Sequence, residues 1–376
     1  MEVFFPPFCA ERSCKHHEPD PASPYSAYVP WGFYPTMAFG RVPRYRCTAC
    51  GKTFSRQTFR LDYYAKRIFS YSDIAQRLAA CESLSSIGRA LHCSTDSISN
   101  RISRAARQAL ALDSALSSTM QPDEDLVADG FESFCRSQYF PNNITLLVGA
   151  SSQYVYAADH VTLRRKGRMT ERQTRKRAML ERRWKANPRG IENSFDRIAH
   201  EALRVYSEGR RLSLTLWTDE HQDYAKALAH SPHLSLLMHE GLLRHRVVSS
   251  RIARTTRNPL FPVNYLDREL RKDLHEHVRE TVCFGRNVNR QMERLAVYLL
   301  WHNTMKPHRA RGSPGSHAEY AFAGALASEG VPRRYWEWRA WRTLTELSDA
   351  MIETWERLRY TPLSQSRDYL PRYACM

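Results

Sequence analysis

Four cysteines in the first 57 residues constrain this chain more than any other feature. Cys9 and Cys14 form a C-x4-C, and Cys47 and Cys50 form a C-x2-C in the phrase RYRCTACGKTFS (44–55), with Gly51 directly behind the second pair. A tight turn between two close thiols, followed by glycine, is the knuckle that tetrahedral zinc asks of its ligands. His16 and His17 lie close enough in sequence to replace one thiolate. A segment this short cannot bury a core of its own, whereas structural zinc supplies on the order of 10–16 kcal/mol of folding free energy. The spacing predicts a zinc ribbon over residues 1–57 with Cys9, Cys14, Cys47 and Cys50 as ligands. The chain holds nine cysteines, an odd and unevenly spread set. They predict free thiols in a reducing compartment rather than a disulfide framework.

At 376 residues the chain exceeds one ordinary core, so two or three domains are expected. Its 56 Lys and Arg against 39 Asp and Glu leave a net charge of +17. Arginines number 47 of those 56 cations, and the guanidinium is the better bidentate ligand for phosphate. A hydrophobic content of 42% excludes a wholly disordered basic chain. No apolar run approaches 18 residues, and residues 1–10 carry no charged region leading into a long apolar stretch. Membrane insertion and secretion are not expected, and the expected location is the cytoplasm, in association with the nucleoid. A soluble protein with this charge meets a polyanion, and nucleic acid is the expected partner.

Residues 68–112 read as helices. The stretch 85–94 (SSIGRALHCS), followed by 95–102 (TDSISNRI), has the rhythm of a helix-turn-helix, with Ile87, Leu91, Ile98 and Ile102 on the apolar face and Ser94 as the N-cap of the second helix. Thr95, Ser97, Asn100, Arg101 and Arg104 then fall on the outer side, chemically suited to phosphates and base edges. Residues 113–124 are polar and read as a linker.

Beyond the linker the pattern changes to short strands. LVAD (126–129) precedes Gly130; residues 144–150 and 154–158 are two further β-rich runs, 212–217 a fourth and 245–250 a fifth. Helical stretches around the last two predict an α/β layering. Asp129 and Asp219 are expected at or just past strand ends, 90 residues apart, where carboxylates can converge on a metal ion without being buried unpaired. Glu132, Glu220 and Asp223 lie near enough in sequence to support them. Between the two acids, residues 163–190 hold 12 Lys or Arg and two Glu. Charge this dense repels itself unless phosphates neutralise it, so Arg164, Arg165, Lys166 and Arg168 are expected to contact a DNA backbone.

The order of these motifs resembles the DDE transposases of bacterial insertion sequences, whose catalytic domain has the ribonuclease-H-like fold. The resemblance runs over nearly the whole chain: the ribbon ending in RYRCTACGKTFS, the helix-turn-helix, VADGFESF (127–134), LWTDEHQDY (216–224), and an Arg-rich helical tail containing WHNTMKPHR (301–309). It implies a multidomain protein: zinc ribbon 1–57, helix-turn-helix 65–112, linker 113–124, an α/β ribonuclease-H-like domain 125–312 with a basic helical insertion at 163–210, and a helical tail 313–376. It implies Asp129 and Asp219 as the first two catalytic acids.

Two candidates stand for the third acid. Asp267 lies in VNYLDRELRKDLHEHVRETVCF (263–284), on the first turn of a helix striped by Leu266, Leu270, Leu274 and Val278. Related transposases carry an acid and an Asn three residues apart on this helix; here Asn264 and Asp267 stand in the opposite order. Glu293 is the alternate, beside Met292, Leu295, Ala296 and Leu299. Three such carboxylates imply two Mg²⁺ ions, or Mn²⁺, serving strand cleavage and strand transfer by in-line displacement. The partners implied are double-stranded DNA, as terminal repeats and target, and further copies of the chain in a homo-oligomer. A transposase-derived DNA-binding regulator without catalysis shares every module and would lack only a working acid triad.

Overall fold

A computed structural model describes residues 6, 8–11, 13–17, 27–63, 65–117, 122–182, 184–207, 212–278, 281–308 and 315–321. The expected helical tail, residues 313–376, lies outside them except for residues 315–321.

The amino-terminal part is a three-stranded antiparallel sheet, β1 (Tyr28–Thr36), β2 (Gly40–Cys47) and β3 (Thr53–Ser55), in that order. Its core is small: Cys9, Cys14, Cys47, Phe54 and Phe59. Three helices follow, α1 (Tyr71–Ala79), α2 (Leu84–Ala90) and α3 (Thr95–Ser117). Each begins at a serine whose hydroxyl accepts a backbone N–H: Ser70 from Asp73 (3.1 Å), Ser83 from Ser86 (3.1 Å) and Ser94 from Ser97 (3.2 Å). At Gly88 a Cβ would sit 2.8 Å from the Cys93 carbonyl oxygen, so the absence of a side chain lets α2 close onto the turn before α3. The expected Ile87, Ile98 and Ile102 are buried there.

The second sheet has the order β6-β5-β4-β7-β8. β4 (Leu126–Phe134), β5 (Pro141–Gly149) and β6 (Val155–Thr162) are antiparallel neighbours, while β7 (Leu214–Thr218) and β8 (Leu243–Val247) run parallel to β4. Alternation sorts the strand residues between two cores. Leu126, Ala128, Leu147, Leu214 and Leu216 face α5 (Gly190–Ser207), whose Phe195, Ile198, Ala199, Ala202 and Val205 cover that side. Val127, Phe131, Ile144, Leu146 and Val148 face α8 (Phe261–Asp273) and α9 (Val288–Thr304). With both faces covered, all nine residues of β5 are buried.

Residues 163–210 are therefore not one basic insertion. α4 (Glu171–Glu181) carries the charge and buries nothing, whereas α5 is an amphipathic helix of the core. Nor do the three amino-terminal helices stand apart, because α9 also contributes Ala296, Val297 and Leu300 to the core of α1 to α3. α6 (Gln222–His230) and α7 (Pro232–His239) link β7 to β8.

Candidate active site and metal centre

The two cysteine pairs meet. Cys9 Sγ lies 3.5 Å from Cys50 Sγ and Cys14 Sγ 3.7 Å from Cys47 Sγ, and all four sulfurs fall within 4.8 Å of one another, an arrangement that could hold a metal ion such as zinc. Backbone N–H groups of Glu11 and His16 donate to Cys9 Sγ and Cys14 Sγ (3.5 and 3.4 Å), which favours thiolates over thiols. Without a cation, burial pushes the Cys9 and Cys14 thiols up. The histidines are not ligands: His17 Nδ1 meets the Cys9 carbonyl oxygen (2.9 Å) and His16 Nε2 meets Thr48 Oγ1 (3.4 Å).

Asp129 sits inside β4, not at its end, paired with Leu146 of β5. The strand continues five residues further because β5 runs alongside it throughout. On its other side β4 pairs with β7 only at Leu126 and Val127. Beyond those residues β4 has no parallel partner, so Asp129 lies two residues past the last parallel pair, where the sheet switches from antiparallel to parallel strands. Asp219 follows Thr218, the last residue of β7, and its Oδ1 accepts the His221 N–H (2.9 Å). Asp267 is in the second turn of α8, one turn later than the sequence stripe implies, and it is buried.

The three aspartates interact. Burial and the charge of Asp219 raise the Asp129 carboxyl to about 6, against the Gly130 N–H (2.7 Å to Oδ1), Arg254 and a hydrogen bond from Tyr224. Burial and then the charge of Asp129 push Asp267 well above the usual carboxylate range, opposed by Arg271 and Arg254. Asp267 Oδ1 is buried without a hydrogen-bond partner. Tyr224, absent from the residues expected on sequence grounds, feels all three acids, and they add to burial in holding its hydroxyl protonated. Its signal was its place in LWTDEHQDY, in the first turn of the helix that follows Asp219. The aspartates stand further apart than the cysteines: among the described residues only the four-cysteine group brings three ligand atoms within 4.8 Å of one another.

Glu293 goes elsewhere. It is buried on α9 against α3, where its Oε2 accepts from Ser103 Oγ and Arg290 Nη1 (both 2.7 Å). Glu220 accepts the Ser250 N–H and hydroxyl (2.8 and 3.0 Å), and Asp223 pairs with Lys226 (3.2 Å).

The expected DNA-facing residues divide. Thr95 and Asn100 are exposed and Ser97 is half-buried. Arg101 and Arg104 turn inward instead, donating to the backbone carbonyls of Arg67 (3.2 Å) and Tyr63 (2.7 Å). An i+3 step along α3 moved them off the outer face and onto the segment before α1. In the basic run, Arg164 pairs with Glu181 (2.6 Å) and Arg165 lies over Tyr139 (5.1 Å), whereas Lys166 and Arg168 are exposed. Among the described residues no helix is long and apolar enough to cross a membrane. No protein-family model matches the chain, and no curated protein matches it.

Proposed function

We propose that this chain is a DNA transposase of the insertion-sequence type, cutting and joining DNA through Asp129, Asp219 and Asp267, with zinc in the amino-terminal ribbon. The observation that carries the reading is the strand pairing: β4 outruns β7 beyond Val127, with Asp129 just past the last pair and Asp219 just past the end of β7. A mixed five-stranded sheet covered on both faces is what a ribonuclease-H-like reading requires. In support, Asp129 on β4 feels the charge of Asp219 just after β7, and Asp267 on α8 feels that of Asp129.

The donor types suit a divalent cation, and the three carboxylates would have to draw closer than the 4.8 Å that only the cysteines meet among the described residues. Three carboxylates share a partly buried site, and one carboxylate oxygen lacks any donor. Such a group is costly to bury unless a cation offsets it. Asp129, Asp219 and Asp267 would hold Mg²⁺ or Mn²⁺, which when bound polarises a phosphate and activates the attacking oxygen. The protein's own groups then orient and screen. The Gly130 N–H and the Tyr224 hydroxyl fix the Asp129 carboxylate. Arg254, exposed on the loop before α8, brings positive charge to the rim, where a phosphoryl transition state gathers negative charge. Four cysteines of the ribbon hold zinc, and the exposed face of α3 with Lys166 and Arg168 supplies contacts to double-stranded DNA.

The test is Mg²⁺-dependent cleavage of DNA carrying the inverted repeats that flank the encoding gene. Wild-type protein cuts at the repeat ends and Asp129→Asn does not, while both bind the DNA. Wild-type protein that binds but never cuts with Mg²⁺ or Mn²⁺ would instead be a regulator.

A further inference from the structure

The β1–β2 hairpin displays a row of large apolar side chains to solvent. Val29 is 42% exposed, Trp31 47%, Phe33 55% and Met37 89%. Isolated exposed apolar residues are ordinary, but four within nine residues form a patch. Two of the rings are paired with arginines of the neighbouring strand. The Arg46 guanidinium lies 4.5 Å from the Trp31 ring centroid and Arg41 lies 4.2 Å from that of Phe33.

Backbone geometry builds this display. The β1–β2 register shifts between Pro30 and Phe33, and Gly32 within that irregularity has a φ of +75°. A bulge of this kind bends the strand and re-aims the neighbouring side chain; here the neighbour is Trp31. The Arg46 guanidinium also lies against the cysteine turn, its Nη2 3.2 Å from where a Cβ on Gly51 would be. Within the three strands the charge has one sign, while just beyond them Lys52 pairs with Glu11 (2.6 Å) and Arg60 with Asp62 (2.8 Å). Residues 27–61 contain Arg41, Arg44, Arg46, Lys52, Arg56 and Arg60 and no aspartate or glutamate.

We propose that this hairpin is a stacking platform for unpaired nucleotides, with Trp31 and Phe33 taking base faces and Arg41 and Arg46 the adjoining phosphates. A protein partner would have to bring a dense acidic surface to so uniformly basic a sheet, whereas a nucleic-acid strand carries its charge with it. Within a duplex, base faces are occupied by one another, so open aromatic rings select bases out of the stack. Aromatic rings flanked by guanidiniums are the usual means of holding single strands with little sequence preference. The platform stands on the ribbon alone and does not depend on the aspartates.

The experiment measures binding of full-length, zinc-loaded protein to fluorescent oligo-dT and to a blunt duplex by anisotropy. Trp31→Ala combined with Phe33→Ala should weaken oligo-dT binding by roughly tenfold or more and leave duplex binding within about twofold. Arg41→Gln with Arg46→Gln should instead make the salt dependence shallower, by roughly 0.7 in log–log slope for each phosphate no longer neutralised. Trp31→Leu with Phe33→Leu keeps apolar volume without a ring face, so it decides the matter if the alanine pair loses zinc. Wild-type oligo-dT affinity in either pair with zinc retained, or equal losses on both DNAs, overturns the proposal. Asp129→Asn should leave oligo-dT binding unchanged, so failure of cleavage and failure of stacking are read separately.

Discussion

Ser103 on α3 donates a hydrogen bond to Glu293 on α9 across 2.7 Å, joining residues 190 positions apart. The same carboxylate takes Arg290 Nη1, and Arg290 also donates to Ser103. The three amino-terminal helices are thereby tied to α9 through one buried carboxylate, and Glu293 is turned away from Asp129 towards α3.

That assignment predicts a structural phenotype for Glu293. Glu293→Ala should destabilise the protein by roughly 3–5 kcal/mol, the usual cost of removing one partner from a buried pair. Glu293→Gln keeps an acceptor for Ser103 and should cost less. Chemical denaturation measures both. A stable Glu293→Ala variant would mean that the pair does not hold α3 to α9.

The ribbon should depend on its metal. Its described core is five side chains, three of them cysteines, too few to offset the conformational entropy of folding. Cys47→Ser should lose zinc by metal analysis, and a chelator should unfold residues 1–57 selectively, seen as proteolysis confined to that region. Full metal content in Cys47→Ser contradicts the four-thiolate site.

Acid should weaken the packing between α9, α10 (His317–Ala321) and the β5–β6 turn. His302 Nε2, His317 Nδ1 and His308 Nε2 donate to the carbonyls of Gln153 (3.1 Å), Ser152 (2.9 Å) and Ser151 (3.2 Å), and the His302 and His317 rings stack at 4.0 Å. Burial lowers His317 to about 4 and holds His302 well below its ordinary value. A histidine depressed in the folded state takes up its proton on unfolding. Its stabilising contribution is thus complete above about pH 6.5 and is lost as pH falls towards 4. Urea unfolding across that range should show the decline, and His317→Phe should make it shallower by about one proton. An unchanged slope contradicts the assignment.

Salt dependence separates the cations of the basic run. Lys166→Gln with Arg168→Gln should reduce the log–log salt slope for duplex binding by roughly 0.9 for each phosphate no longer neutralised. Arg164→Gln should change it less, because Arg164 is engaged with Glu181, and should instead loosen α4. Identical slopes in all variants would leave the run as a solvated face.

What the sequence made legible was local. The cysteine spacing, the Ser94 cap and the Ile87, Ile98 and Ile102 stripe are short-range patterns, and each reappears in the structure. What it hid was set by partners distant in the chain. Asp129 looked like a strand end because Gly130 follows it, yet β5 carries the strand on to Phe134. Arg101 and Arg104 looked outward because the partner carbonyls, on the segment before α1, leave no mark in the helix's own periodicity. Glu293 and Asp267 each sit beside an apolar stripe; only packing distinguishes the one facing α3 from the one facing β4.

The central claim is that Asp267, rather than Glu293, completes the site with Asp129 and Asp219. It is tested most directly by assaying Mg²⁺-dependent cleavage and strand transfer in Asp267→Asn and Glu293→Gln side by side, on DNA bearing the repeat ends. Asp267→Asn is expected to lose both reactions, by on the order of a hundredfold or more, while zinc content and DNA binding stay at wild-type levels, and Glu293→Gln is expected still to cut. Cleavage at the wild-type rate by Asp267→Asn, or its loss in Glu293→Gln with the fold intact, would contradict the claim.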